Sequence, residues 1–141
     1  KSKKKFDTII YFDVIEHIKK DKLEIITAFG NLKKGGCLII NVPAFNLLYS
    51  EFDKEVGHFK RYQKKDVLKI TNNINHSEIK MVYYDSVGFL LALLAKLLKL
   101  NFKKNFKKKI ILWNTLIPLS KILDRLILNL FGKSLMIIIK K

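Results

Sequence analysis

Two groups of residues in this chain have types and spacings that chemistry can use. Asp13, Glu16 and His17 stand at i, i+3 and i+4, so a helical turn there sets two carboxylates and an imidazole on one face. That is an acid, acid, histidine set able to move protons or orient a bound molecule. Further on, Asp53, Gly57, His58, Lys60, Arg61 and Tyr62 fall within ten positions. His58 is the candidate general base, because an imidazole near its ordinary pKa can take the proton of a hydroxyl under attack. The plainer reading is a histidine that pins its loop. With Asp53, the Lys60 and Arg61 cations form a candidate substrate-binding set for an anionic group, and Tyr62 could wall the pocket; the plainer reading is a solvated basic face. Asp13 in turn has the residue type of a helix cap. His76, between Asn75 and Ser77, reads as a surface turn residue.

Positioning these groups falls to a short list of elements. Within a strand expected over 6–12, residues 8–12 are β-branched and aromatic without alternation, the pattern of a parallel strand covered on both faces, and Asp13, Glu16 and His17 lie just past its carboxyl end. Ligands of open α/β sheets collect at such ends. Asp21 and Glu24 have capping-box spacing, and Ile25, Phe29 and Leu32 give an apolar stripe, so a helix is expected over 22–32. Gly35 and Gly36 end it, and 37–42 is a second buried strand, which completes a βαβ unit. A long loop over 44–62 follows Pro43. A helix over 64–72, a more exposed strand over 79–84, two apolar helical stretches over 87–100 and 110–131 (the second interrupted near Pro118), and a closing strand over 134–139 complete the chain.

Composition narrows the function. The chain has 141 residues, 49% of them hydrophobic and 28% charged, which fits one globular domain. Its formal charge of +16 invites nucleic acid, yet Arg61 and Arg125 are the only arginines among 28 basic residues. Readers of phosphates and bases depend on the arginine fork, so the lysine excess reads as compositional bias and a nucleic-acid partner is disfavoured. Cys37 is the single cysteine, set among apolar neighbours, so a reducing, cytoplasmic setting is expected. KSKKK is followed by no apolar run and is not a secretory signal, and the absence of an initiator Met points to a piece of a longer chain.

In order and spacing, FDTIIYFDVIEHI, LKKGGCLIINVP and GKSLMIIIKK resemble the fourth strand, fifth strand and last strand of class I S-adenosylmethionine (SAM) dependent methyltransferases. The run S-x-x-D-x-x-x-G-H-x-[KR]-R-Y, from Ser50 to Tyr62, resembles one branch of that family. The resemblance covers about 5–85. It implies a Rossmann-like class I methyltransferase fold of α/β class, SAM as cofactor, and a cofactor-binding set of Phe12, Asp13, Val14, Glu16 and His17. A likeness to ubiquinone-type O-methyltransferases implies, as an alternative, a divalent cation on Asp13, Glu16 and His17. The sequence departs from the family in having no G-x-G among its six glycines, in Lys34 where proline is usual, and in Lys60 where arginine is usual.

The expectation is therefore an incomplete methyltransferase domain spanning 1–141, with a helical apolar cap at about 86–131 and the N-terminal half of the same domain as its missing partner. The acceptor is expected to be a small or lipid-linked molecule. The competing reading is a non-catalytic, basic membrane-surface protein carrying a methyltransferase remnant. Lys103, Lys104, Lys107, Lys108 and Lys109 beside the apolar helices are its motif for peripheral membrane contact.

Overall fold

A computed structural model describes residues 4–98 and 106–141, with side chains described for 4–98 and 114–141. The lysine cluster over 103–109 lies outside the described side chains. The βαβ unit forms as its sequence dictates: β1 (Phe6–Phe12), α1 (Asp21–Gly30) and β2 (Leu32–Pro43), with β1 and β2 parallel from Thr8 opposite Cys37 to Phe12 opposite Asn41. Between Phe6 and Thr8 the register shifts, because the Lys33–Gly36 segment bulges out of β2. Gly35 takes φ +77 there, and a Cβ on Gly36 would press on the carbonyl oxygens of Asp7 and Lys33, each 3.0 Å away.

Two short helices follow, α2 (Glu51–Glu55) and α3 (Lys64–Thr71), then β3 (Glu78–Tyr84), α4 (Ser86–Leu97), α5 (Phe106–Leu126) and β4 (Ser134–Lys140). The sheet order is β1-β2-β4-β3, with β4 antiparallel to both of its neighbours. Gly132 lets the chain enter β4, since any Cβ there would collide with the backbone of Tyr84. α5 docks on the start of α4 through Asp124, whose two carboxylate oxygens accept the backbone N–H groups of Asp85 and Ser86, both at 2.8 Å.

Alternation along the strands divides the sheet into unlike faces. Leu38, Ile40, Val42, Leu135, Ile137 and Ile139 are buried against Ile25, Phe29, Val67 and Ile70 of α1 and α3. On the other face of the sheet Ile10 is 57% exposed, Phe12 52%, Val82 42% and Ile138 36%.

Several expectations need correction. β1 is covered on one face only, because among the described residues no helix packs on the other. Asp21 is the first residue of α1 rather than its cap, which is Lys20, and its carboxylate is occupied elsewhere. β2 runs longer than 37–42. α5 continues through Pro118, so the loss of one N–H donor does not interrupt the helix. The loop over 44–62 holds α2 and a tight turn at Asn46–Leu48. No helix among the described residues is long and apolar enough to cross a membrane.

Candidate functional site

The carboxyl ends of β1 and β2 bring the two chemical groups of the sequence together. β1 ends on Asp13, whose φ of +50 is in the left-handed region that aspartate tolerates better than most residues. That turn sends the chain into a single 3-10 turn, Ile15–His17, which plants Glu16 in the interior and leaves His17 at the surface. The loop after β2 returns over it, and the Phe59 N–H donates to the Glu16 carbonyl at 2.8 Å.

At the centre of the loop is Asp53, with 0% of its surface exposed. It closes a capping box with Ser50, receiving the Ser50 N–H at 2.9 Å. Arg61 grips the same carboxylate from the other side, Nε to Oδ1 at 2.9 Å and Nη2 to Oδ2 at 3.1 Å. His58 Nδ1–H donates to Asp53 Oδ1 at 2.9 Å, the carboxylate being the acceptor. Burial alone would raise the pKa of Asp53, but the bonds from Arg61 and His58 hold it below the ordinary carboxylate range. With Nδ1 protonated, the lone pair of His58 is on Nε2, which lies 3.8 Å from Glu16 Oε1. The His17 and His58 rings meet edge to face at 4.7 Å, and His17 Nδ1–H donates to the Gly57 carbonyl at 3.2 Å.

Glu16 is the anomaly. Only 1% exposed, it has no hydrogen-bond partner for either carboxylate oxygen. Burial raises its pKa, with Asp13 adding to the rise and the two histidines opposing it.

The residues expected to touch substrate are placed differently. Arg61 is 6% exposed and committed to Asp53, with Nη1 on the Ala44 carbonyl at 3.4 Å. Tyr62 is 1% exposed, and its hydroxyl donates to Asp21 Oδ2 at 2.8 Å. Lys60 reaches the same Asp21 oxygen at 2.6 Å. Asp53, Arg61 and Tyr62 therefore frame the loop from inside, because a buried charge is held only where it is paired. Of the candidate cofactor residues, Phe12, Asp13 and Val14 are exposed on the open side and Glu16 is not. The alternative cation set of Asp13, Glu16 and His17 is not the one that converges: the ligand atoms of Glu16, His17 and His58 lie within 4.8 Å of one another. Asp13 instead accepts from Asn41 Nδ2 at 3.0 Å, and Asn41 Oδ1 accepts from the Tyr84 hydroxyl at 2.8 Å. The signal in the sequence for this pair is a polar Asn41 inside the apolar run LIINVP.

No family model matches the chain, and no curated protein matches it in sequence. Solved structures do match in fold. A SAM-dependent methyltransferase from Archaeoglobus fulgidus aligns with TM-score 0.54 and 21% identity over 98% of this chain and 60% of its own. Phosphoethanolamine N-methyltransferase 2 of Haemonchus contortus, solved with phosphomonomethylethanolamine and S-adenosylhomocysteine, aligns with TM-score 0.54 and 18% identity over 96% of this chain and 33% of its own. A methyltransferase-like protein of Bacillus halodurans C-125 gives TM-score 0.53 and 14% identity over 98% and 65%. The chain thus spans less than two thirds of each of these neighbours. What it has is an α/β, class I methyltransferase-like fold, present in incomplete form.

Proposed function

We propose that this chain is the acceptor side of a SAM-dependent methyltransferase acting on a small or lipid-linked molecule, and that the remaining strands of the domain complete it. The observation that carries the reading is the Asp53–His58 pair at the strand ends. An ionised Asp53 fixes the imidazole with its lone pair on Nε2, the tautomer a general base needs. His58 then takes the proton of the acceptor as the methyl group arrives. Phe12, Asp13 and Val14, exposed where β1 ends, are the cofactor side, with Glu16 and His17 beneath. Alignment of acceptor, methyl and sulfur supplies most of the acceleration.

The partner that this reading requires is the other half of the domain. Among the described residues one edge of β1 has no partner strand, and Ile10 and Phe12 beside it are open, both features that a further strand and helix would cover. The 141-residue chain alone is therefore expected to aggregate or to bind SAM no better than about millimolar, roughly −4 kcal/mol. Micromolar binding by calorimetry would overturn the split. In the completed enzyme, His58→Ala should lower kcat by about 10²–10⁴-fold; an unchanged kcat removes the base.

One observation favours a second reading. Leu90, Leu94 and Leu97 of α4 and Leu119, Ile122 and Leu126 of α5 are all exposed on a basic chain, as on a protein that rests on anionic lipid. Sedimentation with anionic and with neutral liposomes decides it: pelleting with neither rejects lipid contact.

A further inference from the structure

We infer that Glu16, His17 and His58 form a three-ligand site for a zinc-like divalent cation. Three features of the geometry converge on this, and none depends on methyl transfer.

The first is the orphaned carboxylate. Glu16 is 1% exposed and neither oxygen has a partner, a costly arrangement for a charge in the interior. Protonation does not remove the difficulty, since the acid would carry an O–H donor with no acceptor. His58 Nε2, at 3.8 Å, is too distant for a hydrogen bond. A cation between them answers both needs.

The second is the setting of the two imidazoles. A metal-bound histidine commonly donates its other ring N–H to a carboxylate or a backbone carbonyl, which fixes the tautomer. Both arrangements occur here: His58 Nδ1–H on Asp53 at 2.9 Å and His17 Nδ1–H on the Gly57 carbonyl at 3.2 Å. Each leaves an Nε2 lone pair for an ion. Ser50 and Arg61 in turn hold Asp53, so the supporting layer is complete on the His58 side.

The third is distance. Ligands of a tetrahedral zinc, each about 2.0–2.2 Å from the metal, stand roughly 3.3–3.6 Å apart. Glu16 and His58 are already near that spacing at 3.8 Å, and the whole set lies within 4.8 Å. Closing the remaining distance takes a shift of the exposed His17 side chain. Two nitrogens and one oxygen suit zinc, cobalt or iron(II) over magnesium or calcium, which prefer all-oxygen shells. Three protein ligands leave a fourth position open, the pattern of a reactive rather than a structural site. An occupied site engages the His58 lone pair, so the base role proposed above then belongs to the metal-free protein.

The test reads metal, not turnover, so its failure and that of the proposed activity are separable. The full 141-residue chain is carried on a solubility partner free of histidine tags, with the partner alone as blank, and titrated with Co²⁺ while visible absorption is followed. Zinc competition and metal content after gel filtration complete the measurement. Saturation at one cobalt per chain is expected, with displacement by zinc. Glu16→Gln and His17→Ala should each weaken binding at least tenfold, and His76→Ala should not. Glu16→Gln serves as the folding control: it removes a buried charge, so the metal-free variant should unfold at or above the wild-type temperature, while zinc raises the melting temperature of the wild type and not of the variant. Absence of saturable absorption, or equal affinity in Glu16→Gln, overturns the site.

Discussion

The two faces of the sheet are made from adjacent residues of the same strands, yet they meet opposite environments. Ile137 and Ile139 are 1% and 0% exposed under α1 and α3, while Ile138 between them is 36% exposed. On β2 the same contrast sets buried Leu38 and Ile40 against half-buried Ile39. The outer face mixes Ile10, Phe12, Ile39, Met136, Ile138 and Val82 with polar Thr8, Asn41, Glu78 and Lys80. A fully solvated face would place polar residues at most of these positions, so the run of Ile10, Phe12, Ile138 and Val82 fits a face suited to burial. One face of the sheet therefore has its helices and its core, while the other keeps large apolar side chains open to solvent.

That contrast can be broken at several points. The most sensitive point should be the buried ion pair: Arg61→Ala leaves Asp53 charged and unpaired and should cost about 3–5 kcal/mol in urea unfolding. A loss below about 1 kcal/mol would mean that the pair is not desolvated. Next, Ile137→Ala should cost about 2–5 kcal/mol through the cavity it leaves. Its neighbour gives the sharper measurement. Ile138→Ser should move stability by no more than about 0.5 kcal/mol, as for a surface substitution, and should lower aggregation seen by light scattering. Equal costs for Ile137→Ala and Ile138→Ser would erase the distinction between the faces.

The smallest effect concerns acid. Burial opposes ionisation of Asp21, but the bonds from Lys60 and Tyr62 outweigh it and depress its pKa. A depressed carboxylate contributes stability above its unfolded pKa and loses it as pH falls through the folded value. Asp21→Asn should therefore flatten the acid limb of a stability-against-pH curve, below about pH 4, where aspartate ordinarily titrates. An unchanged limb would show that Asp21 titrates normally.

Much of the scaffold was legible because it rests on local pattern. β1, α1, α3, β3 and β4 follow from β-branched runs, the stripe of Ile25 and Phe29, and the turn residues between them. α5 misled because Pro118 removes only one donor, and helix packing through Asp124 outweighs that loss. The pairings among the candidate residues were not legible. Nothing in the spacing of Asp53 and Arg61 says that they bond in the interior rather than reach for a ligand. Likewise, the approach of His58 to Glu16 and His17 is made by chain reversal after β2, across 42 and 41 positions, where no periodicity operates. A buried salt bridge and an anion-binding arginine have the same sequence signature, and only desolvation tells them apart.

Among the described residues β1 has one neighbour, β2, and this gives the strand a measurable signature. In a parallel pair, alternate residues turn their N–H toward the partner, so β2 can protect only every second amide of β1. Deuterium uptake along Thr8–Phe12 should then read as a comb, slow and fast by turns. Whatever settles on the free edge would fill in the fast teeth, which makes this strand a gauge of its own occupancy, readable without knowing what the occupant is.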